Sequence, residues 1–132
     1  MKPTIKLLLF AISAVCLVAC SESDDEPTTF EQDQALLAAE LARIQSIASS
    51  VPCADSNDWD IIGYGAKPCG GPWGFLAYPT VSIDVEDFLQ QVENYKKMNE
   101  SFNARWGLGS DCSVPAQPSG VECENGKAVL VY

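Results

Sequence analysis

A run of thirteen residues without a charged side chain, residues 7–19, most constrains how this chain is organised. Lys2 and Lys6 precede the run. As a helix the run would be about 20 Å long at 1.5 Å per residue, well short of the ~30 Å hydrocarbon core of a bilayer. A basic start followed by a short apolar run is typical of a secretory signal peptide. We therefore expect residues 1–19 to be removed on export and the rest to fold outside the cytoplasm.

The apolar run ends in Leu17, Val18, Ala19 and Cys20. These four residues resemble the lipobox of bacterial lipoproteins, whose cysteine becomes the new N-terminus. The resemblance implies that Cys20 carries a diacylglyceryl group on its thiol and an acyl chain on its amine. Several acyl chains hold a protein on a bilayer essentially irreversibly, because each buried methylene contributes about 0.8 kcal/mol. The alternative is an ordinary signal peptide cut after Ala19, which leaves Cys20 as a free thiol.

Residues 20–28 contain four acidic side chains and no large apolar one. Such a stretch buries too little surface to offset its chain entropy, so we expect a flexible tether. Ser21 after the anchor resembles an outer-membrane sorting signal. Ser23, Asp24 and Asp25 resemble the acidic signal that sends some Gram-negative lipoproteins to the cell surface, and the alternative is a solvated spacer. The expected location is the bacterial outer membrane, lipid-anchored, on its periplasmic or cell-surface side.

The charge of the exported chain excludes two classes of partner. Residues 1–19 hold two of the eight Lys and Arg and none of the eighteen Asp and Glu, so six basic side chains face eighteen acidic ones, a net charge of −12. Nucleic-acid binding requires a basic surface, so no nucleic-acid partner is expected. Anionic lipid would also repel the chain, so the predicted membrane attachment depends on the acyl chains.

Residues 29–132 form one predicted domain with four cysteines: Cys53, Cys69, Cys112 and Cys123. An even number of cysteines in an oxidising compartment predicts two disulfides, for which three connectivities are possible. Because turn residues fill the intervening segments, we expect the local pairs Cys53–Cys69 and Cys112–Cys123, each contributing about 2 to 4 kcal/mol. Zinc is a poor alternative, since no two cysteines are separated by only two residues and histidine is absent.

Periodicity and turn residues predict an α+β fold. Thr28 or Thr29 caps a helix to about residue 49, and Asp84 caps a second helix that Gly107 or Gly109 ends. Aromatic and β-branched runs predict strands at 59–64, 73–78, 121–123 and 127–132, the last two joined by Asn125–Gly126. The prediction is two helices on one face of a small antiparallel sheet, stapled by two disulfides.

Asn99 is the only polar residue central to the apolar stripe of the second helix. A buried amide must find hydrogen-bond partners. Two interpretations follow: Asn99 ties down the backbone of a loop, or it contacts a ligand.

The residues that most catalytic mechanisms require are absent from this chain. Without histidine, neither a Ser-His-Asp nor a Cys-His apparatus can form, and we expect no metal and no cofactor. Carboxylate pairs suffice for glycoside hydrolysis, and Asp55, Asp58 and Asp60 lie close together beside Trp59. With eighteen acids such clusters arise by chance, and the same segment fails the EF-hand pattern because its twelfth position is Ala66.

Residues 67–73 read Lys-Pro-Cys-Gly-Gly-Pro-Trp. Residues 53–126 resemble a group of small uncharacterised secreted bacterial proteins that share a Lys-x-Cys-Gly-Gly-Pro stretch, a following aromatic strand and an Asp-Cys pair after the second helix. That resemblance implies no activity. Physically, a rigid loop could present Lys67 to a protease, or Trp73, Tyr78 and Trp59 could form an aromatic platform for a glycan or peptide. Alternatively, the glycines and prolines build turns and the aromatic residues fill a thin core.

The sequence thus predicts a lipid-anchored envelope protein that is not an enzyme and works as a binding module for a protein, peptide or glycan. An inhibitor of an extracellular hydrolase is the second hypothesis. A small carboxylate-based hydrolase is the third.

Overall fold

A computed structural model describes residues 27–132, which contain two helices and four strands in the predicted order. The predicted leader, the Cys20 anchor and most of the tether lie outside the described residues. The elements, in chain order, are α1 Phe30–Ala48, β1 Trp59–Tyr64, β2 Gly74–Pro79, α2 Val85–Trp106, β3 Gly120–Glu124 and β4 Lys127–Val131. Within the described range, neither helix is both long and apolar enough to cross a bilayer.

Both helices begin at the caps that the sequence predicts. The Thr29 hydroxyl accepts from the Gln32 N–H at 3.3 Å, and the Gln32 side chain accepts from the Thr29 N–H at 2.8 Å, which forms a reciprocal capping box. Asp84 accepts from the Asp87 N–H at 3.0 Å and starts α2. Gly107 ends α2 in the left-handed conformation, at φ +59°.

The hydrophobic core lies where the two helices meet the β1–β2 hairpin. α1 contacts α2 and β2, and α2 contacts β1. Tyr78 of β2 stacks on Phe88 of α2 with ring centroids 5.1 Å apart. The buried core residues are Leu37, Ile44, Ala48, Tyr78, Phe88, Val92 and Tyr95.

The predicted α+β class, with two helices, antiparallel strands and two disulfides, is confirmed. The strands differ from the prediction in that they do not join into one sheet. Among the described residues they make two separate antiparallel pairs, β1 with β2 and β3 with β4. Asn125 and Gly126, at φ +51° and +77°, close the second hairpin as predicted. Each hairpin pairs strands adjacent in sequence, and the two hairpins contact each other through β1 with β3 and β2 with β4 without sharing a ladder.

Two disulfides staple the domain, but the predicted local pairing is wrong. The bonds are Cys53–Cys123 and Cys69–Cys112. The segment after α1 runs beside the second hairpin, where the Cys53 N–H donates to the Gly126 carbonyl at 2.9 Å, and this brings Cys53 to β3. Turn residues between two cysteines favour a compact segment, but they do not decide which cysteine lies nearest in space.

Candidate functional site

The loop between β1 and β2, residues 65–73, is held in one conformation by its own backbone. The Trp73 N–H donates to the Tyr64 carbonyl at 2.9 Å, and the Lys67 N–H donates to the Gly71 carbonyl at 2.9 Å. Gly70 and Gly71 have φ values of +94° and +79°, a conformation that side chains other than glycine rarely adopt. We call residues 65–73 the β1–β2 loop.

Two buried amides on α2 hold both polar groups of Ala66 in this loop. The Asn99 Oδ1 accepts from the Ala66 N–H at 2.9 Å, and the Asn103 Nδ2 donates to the Ala66 carbonyl at 2.8 Å. Asn99 therefore makes the contact with a loop backbone that its position in the apolar stripe suggests. Sequence reasoning missed Asn103, although it lies four residues after Asn99 and hence on the same face of the helix.

Trp73 is fixed at one edge and partly exposed, and the Lys67 ammonium lies over one face of its ring, 5.4 Å from the centroid. Its Nε1 donates to Asn99 Oδ1 at 2.7 Å, and the side chain is 44% exposed. A Cβ on Gly65, where φ is +71°, would lie 2.7 Å from Trp73 Cδ1. Glycine at position 65 thus lets the indole lie against the loop backbone.

Lys67 is buried under the loop and only 8% exposed. Its Nζ donates to Asp111 Oδ1 at 2.8 Å, to the Ser113 carbonyl at 2.7 Å and to Ser113 Oγ at 2.9 Å. An ammonium has three N–H donors, so all three are used within the protein. The Lys67 and Ser113 hydrogen bonds lower the pKa of Asp111 to about 2. The expectation that the loop presents Lys67 to a protease is not met in this conformation.

A disulfide adds a covalent link beside this ion pair. Cys69 lies two residues after Lys67, and Cys112 lies between Asp111 and Ser113. Both cysteines are exposed, whereas Cys53 of the other disulfide is buried. The loop is therefore tied to the segment that follows α2 by a charge pair and by a covalent bond.

A groove of about 700 Å³ separates the β1–β2 loop from the second half of α2. Gly63 of β1 and loop residues from Gly65 to Pro72 form one wall. The opposite wall consists of Lys96, Glu100, Asn103, Ala104 and Leu108. It carries one positive and one negative exposed side chain, in a protein whose overall charge is strongly negative.

The three aromatic residues that the sequence suggested as a platform do not lie together. Tyr78 is buried in the core, where burial and the Asp60 carboxylate raise its pKa. Trp59 pairs with Pro79 at one end of the hairpin, whereas Trp73 adjoins the Gly74–Tyr64 pair at the other end. Five residue steps separate these ends, or about 17 Å. Of the three, only Trp73 belongs to the β1–β2 loop.

Two of the three clustered aspartates, Asp55 and Asp60, use their carboxylates in local structure, whereas Asp58 contributes its backbone carbonyl. Asp55 accepts from the backbone N–H of Asn57 at 2.9 Å and from its side chain at 2.8 Å, which caps the short turn before β1. Asp60 accepts from the Tyr78 hydroxyl at 3.3 Å, and the Asp58 carbonyl accepts from the Thr80 N–H at 2.8 Å. In residues 27–132 no group of three or more acidic or cysteine side chains is arranged to hold a metal ion.

Comparisons of the chain with protein-family models, with curated proteins and with solved structures find no match.

Proposed function

We propose that this protein is a lipid-anchored protein of the bacterial outer membrane whose domain binds a peptide or glycan, without catalysis, through the β1–β2 loop and its groove. The observation that carries the proposal is the number of separate constraints on one loop. Two buried amides, a buried ammonium and a disulfide all hold residues 65–73, although the tip of the loop is exposed.

A connecting turn does not need these constraints. Buried amides and ammonium groups are costly unless every hydrogen bond is made. The gain is a loop that is ordered before it meets a partner, and ordering a side chain on binding otherwise costs about 0.5 to 1.5 kcal/mol. The arrangement therefore favours binding by a preformed surface.

The exposed chemistry of the site indicates the class of ligand. Trp73 offers a fixed, partly exposed indole, and tryptophan is enriched among the residues that dominate binding energy. Lys96 and Glu100 place opposite charges on the α2 wall of the groove, which Trp73 itself does not line. A neutral or zwitterionic peptide or glycan that stacks on Trp73 suits this surface better than a strongly charged ligand.

The start of the folded domain supports the anchored part of the proposal. The Thr28 hydroxyl donates to Asp33 at 2.6 Å, and Arg105 donates to the Thr28 carbonyl at 3.2 Å, so the domain is fastened from residue 28 onward. Cys20 lies eight residues earlier, a distance of at most about 28 Å along an extended chain. The two disulfides also suit an oxidising compartment outside the cytoplasm.

Acylation is tested with an alkyne fatty acid fed to a bacterial host that expresses the full chain. We expect the label on the wild type and on Cys16→Ala, a matched control in the same leader, and no label on Cys20→Ala. Mass spectrometry of the N-terminal peptide should show acylated Cys20. A retained leader, or label on Cys20→Ala, would contradict the anchor.

Binding is tested on arrays of bacterial glycans and of defined peptides, probed with the oxidised protein. We expect Trp73→Ala to weaken retention at least tenfold. Trp59→Ala, an aromatic truncation at the opposite end of the hairpin, should leave it unchanged. Equal loss in both variants, or no retained probe, would count against the proposed site. Conversion of a probe into product would show that the protein is an enzyme.

Inhibition of an extracellular hydrolase is a second candidate, favoured by the exposed, covalently fixed loop tip at Cys69, Gly70 and Gly71. Because Lys67 is buried, an inhibitor of this shape would not depend on a lysine in the specificity pocket. A panel of serine and cysteine proteases tests it. Inhibition that survives Lys67→Met and disappears with Gly70→Val would select this function.

A further inference from the structure

We propose that the Cys69–Cys112 disulfide is a redox switch for the groove, opened by a dithiol protein of the thioredoxin type while Cys53–Cys123 stays oxidised. The inference rests on the proposed function, because it assigns regulation to the same site. Three observations carry it: exposure, backbone strain, and the position of the bond between the two parts of the groove.

The two disulfides differ in access. Thiol–disulfide exchange requires a thiolate to reach one sulfur directly. Cys69 and Cys112 are both exposed. Cys53 is only 4% exposed, and Cys123 is half-buried within β3. A folded dithiol protein can therefore approach the first bond more easily than the second.

The backbone at Cys112 is strained. Its φ is +52°, in the left-handed region that a residue with a Cβ rarely occupies. Cys123, in contrast, pairs with Ala128 in a regular ladder. The left-handed backbone at Cys112 adds to the exposure of this bond, and exposed or strained disulfides are the more readily reduced ones.

The bond links the loop wall of the groove to the segment that continues from Leu108 on the other wall, although neither cysteine itself lines the groove. Pro68 and Gly70, the neighbours of Cys69, line one wall, and Leu108 on the segment after α2 lines the other. Residues 108–119 contain neither helix nor strand. Once the disulfide opens, the Lys67 ammonium is the main remaining contact between this segment and the loop, and its partner Asp111 is exposed.

Reduction of the Cys69–Cys112 disulfide consumes one dithiol. A thiolate of the dithiol protein attacks the sulfur of Cys69 or Cys112, the protein disulfide breaks, and a mixed disulfide forms. The second thiolate of the dithiol resolves it. The products are two cysteine thiols and one oxidised dithiol, with two electrons and two protons transferred to the protein.

The first test measures selectivity on the full chain with both disulfides formed. The protein is incubated with recycled thioredoxin, thiols are trapped with iodoacetamide at timed intervals, and peptides are mapped by mass spectrometry. We expect Cys69 and Cys112 to be alkylated at least tenfold faster than Cys53 and Cys123. Equal rates, or faster labelling of Cys53 and Cys123, would overturn the proposal.

The second test measures what reduction does to the loop. Amide exchange in residues 66–73 and 108–114 should accelerate at least tenfold in the reduced protein, while exchange in the core of α1 stays constant. The double variant Cys69→Ser/Cys112→Ser should reproduce this pattern, and Cys53→Ser/Cys123→Ser is the matched control. If a double variant does not fold, the wild type reduced in place supplies the same measurement. Unchanged exchange after reduction would overturn the switch.

The glycan and peptide arrays separate this inference from the proposed function. A probe held at least tenfold more strongly by the oxidised protein supports both. A probe held equally by the oxidised and reduced protein overturns the switch and leaves the binding function intact. If no probe is held but reduction is selective and loosens the loop, the redox-sensitive loop is supported and the proposed binding function fails.

Discussion

One face of α2 is buried along both halves of the helix, but the two halves bury side chains of different chemistry. In the first half Phe88, Val92 and Tyr95 face α1 and the first hairpin and are buried in the apolar core. In the second half the same stripe continues with Asn99 and Asn103, which are equally buried but hydrogen-bond the β1–β2 loop. The spacing is unchanged, whereas the chemistry switches from apolar packing to directed hydrogen bonds.

Because of this difference, the two ends of the domain contribute differently to its stability and to its shape. The energy of apolar packing depends little on the relative orientation of the side chains, so it stabilises the fold as a whole. A buried amide stabilises only when its partners are correctly placed, so it specifies one conformation of what it touches. The core end thus supplies stability, and the groove end supplies a fixed shape.

Phe88→Ala should lower the free energy of unfolding by about 3 to 5 kcal/mol, because truncating a large buried aromatic leaves a cavity. Phe88 is 1% exposed and stacks on Tyr78. Urea unfolding followed by far-UV circular dichroism measures the change. Leu36→Ala, at a side chain that is 58% exposed, is the control and should stay within about 0.5 kcal/mol. Similar losses in both variants would mean that the core is not centred on Phe88.

Gly65→Ala should cost about 3 kcal/mol, because the added Cβ meets Trp73 and the backbone has a positive φ. Gly70→Ala shares the positive φ, but its Cβ would meet no neighbouring atom within 4 Å. We therefore expect about 1 kcal/mol there, from backbone conformation alone. Urea unfolding of both variants gives the comparison. Equal costs would show that Trp73 does not lie against the loop backbone.

Asn99→Ala should cost about 2 kcal/mol, because the Ala66 N–H and the Trp73 indole N–H lose their shared acceptor. Unlike Phe88→Ala, it should also alter the fluorescence of Trp73. That emission is obtained by subtracting the spectrum of a matched protein in which Trp73 is replaced by phenylalanine. Asn103→Ala removes a single bond and should cost about 1 kcal/mol. Unchanged emission in Asn99→Ala would mean that the indole is held by other contacts.

The smallest effect concerns pH. Asp111 has a folded-state pKa of about 2, below its ordinary 3.8, because Lys67 and Ser113 hydrogen-bond the carboxylate. A lowered folded-state pKa contributes stability above the ordinary pKa, and this is lost as pH falls through about 2. Asp33 has a lowered pKa from its bonds to Thr28 and Trp106, so it contributes with the same sign.

The urea midpoint should therefore fall between pH 5 and pH 2, and it should fall less in Asp111→Asn. The difference between the two proteins is the relevant measure, since other acids titrate in both. It should shrink at high salt, because Asp111 is exposed and its charge is screened. Parallel curves for the two proteins would show that the Lys67–Asp111 pair does not persist in solution.

The fold could be predicted from the sequence wherever the signal was local. Thr29 and Asp84 cap the helices, Gly107 ends α2, and Asn125–Gly126 closes the last hairpin, each within a few neighbouring residues. The division into two sheets and the pairing of cysteines 70 and 43 residues apart could not be predicted in this way. They depend on which distant segments pack together, and turn composition carries no information about that.

The same distinction applies to the candidate site. Asn99 could be singled out because a polar residue interrupts an apolar period, and that anomaly is visible in the sequence. Lys67 was predicted to be presented to a protease because its neighbours, a cysteine, two glycines and two prolines, suggested a rigid, exposed loop. Its burial follows from a carboxylate and a carbonyl more than forty residues away, which only the folded chain brings within 3 Å.

The sequence alone thus determined the type and order of the helices and strands and the capped ends of the helices, because caps, periods and two-residue turns act between close neighbours along the chain. The tertiary structure decided which cysteines pair, which charge is buried and which loop becomes rigid, because these depend on contacts between segments that only packing brings together.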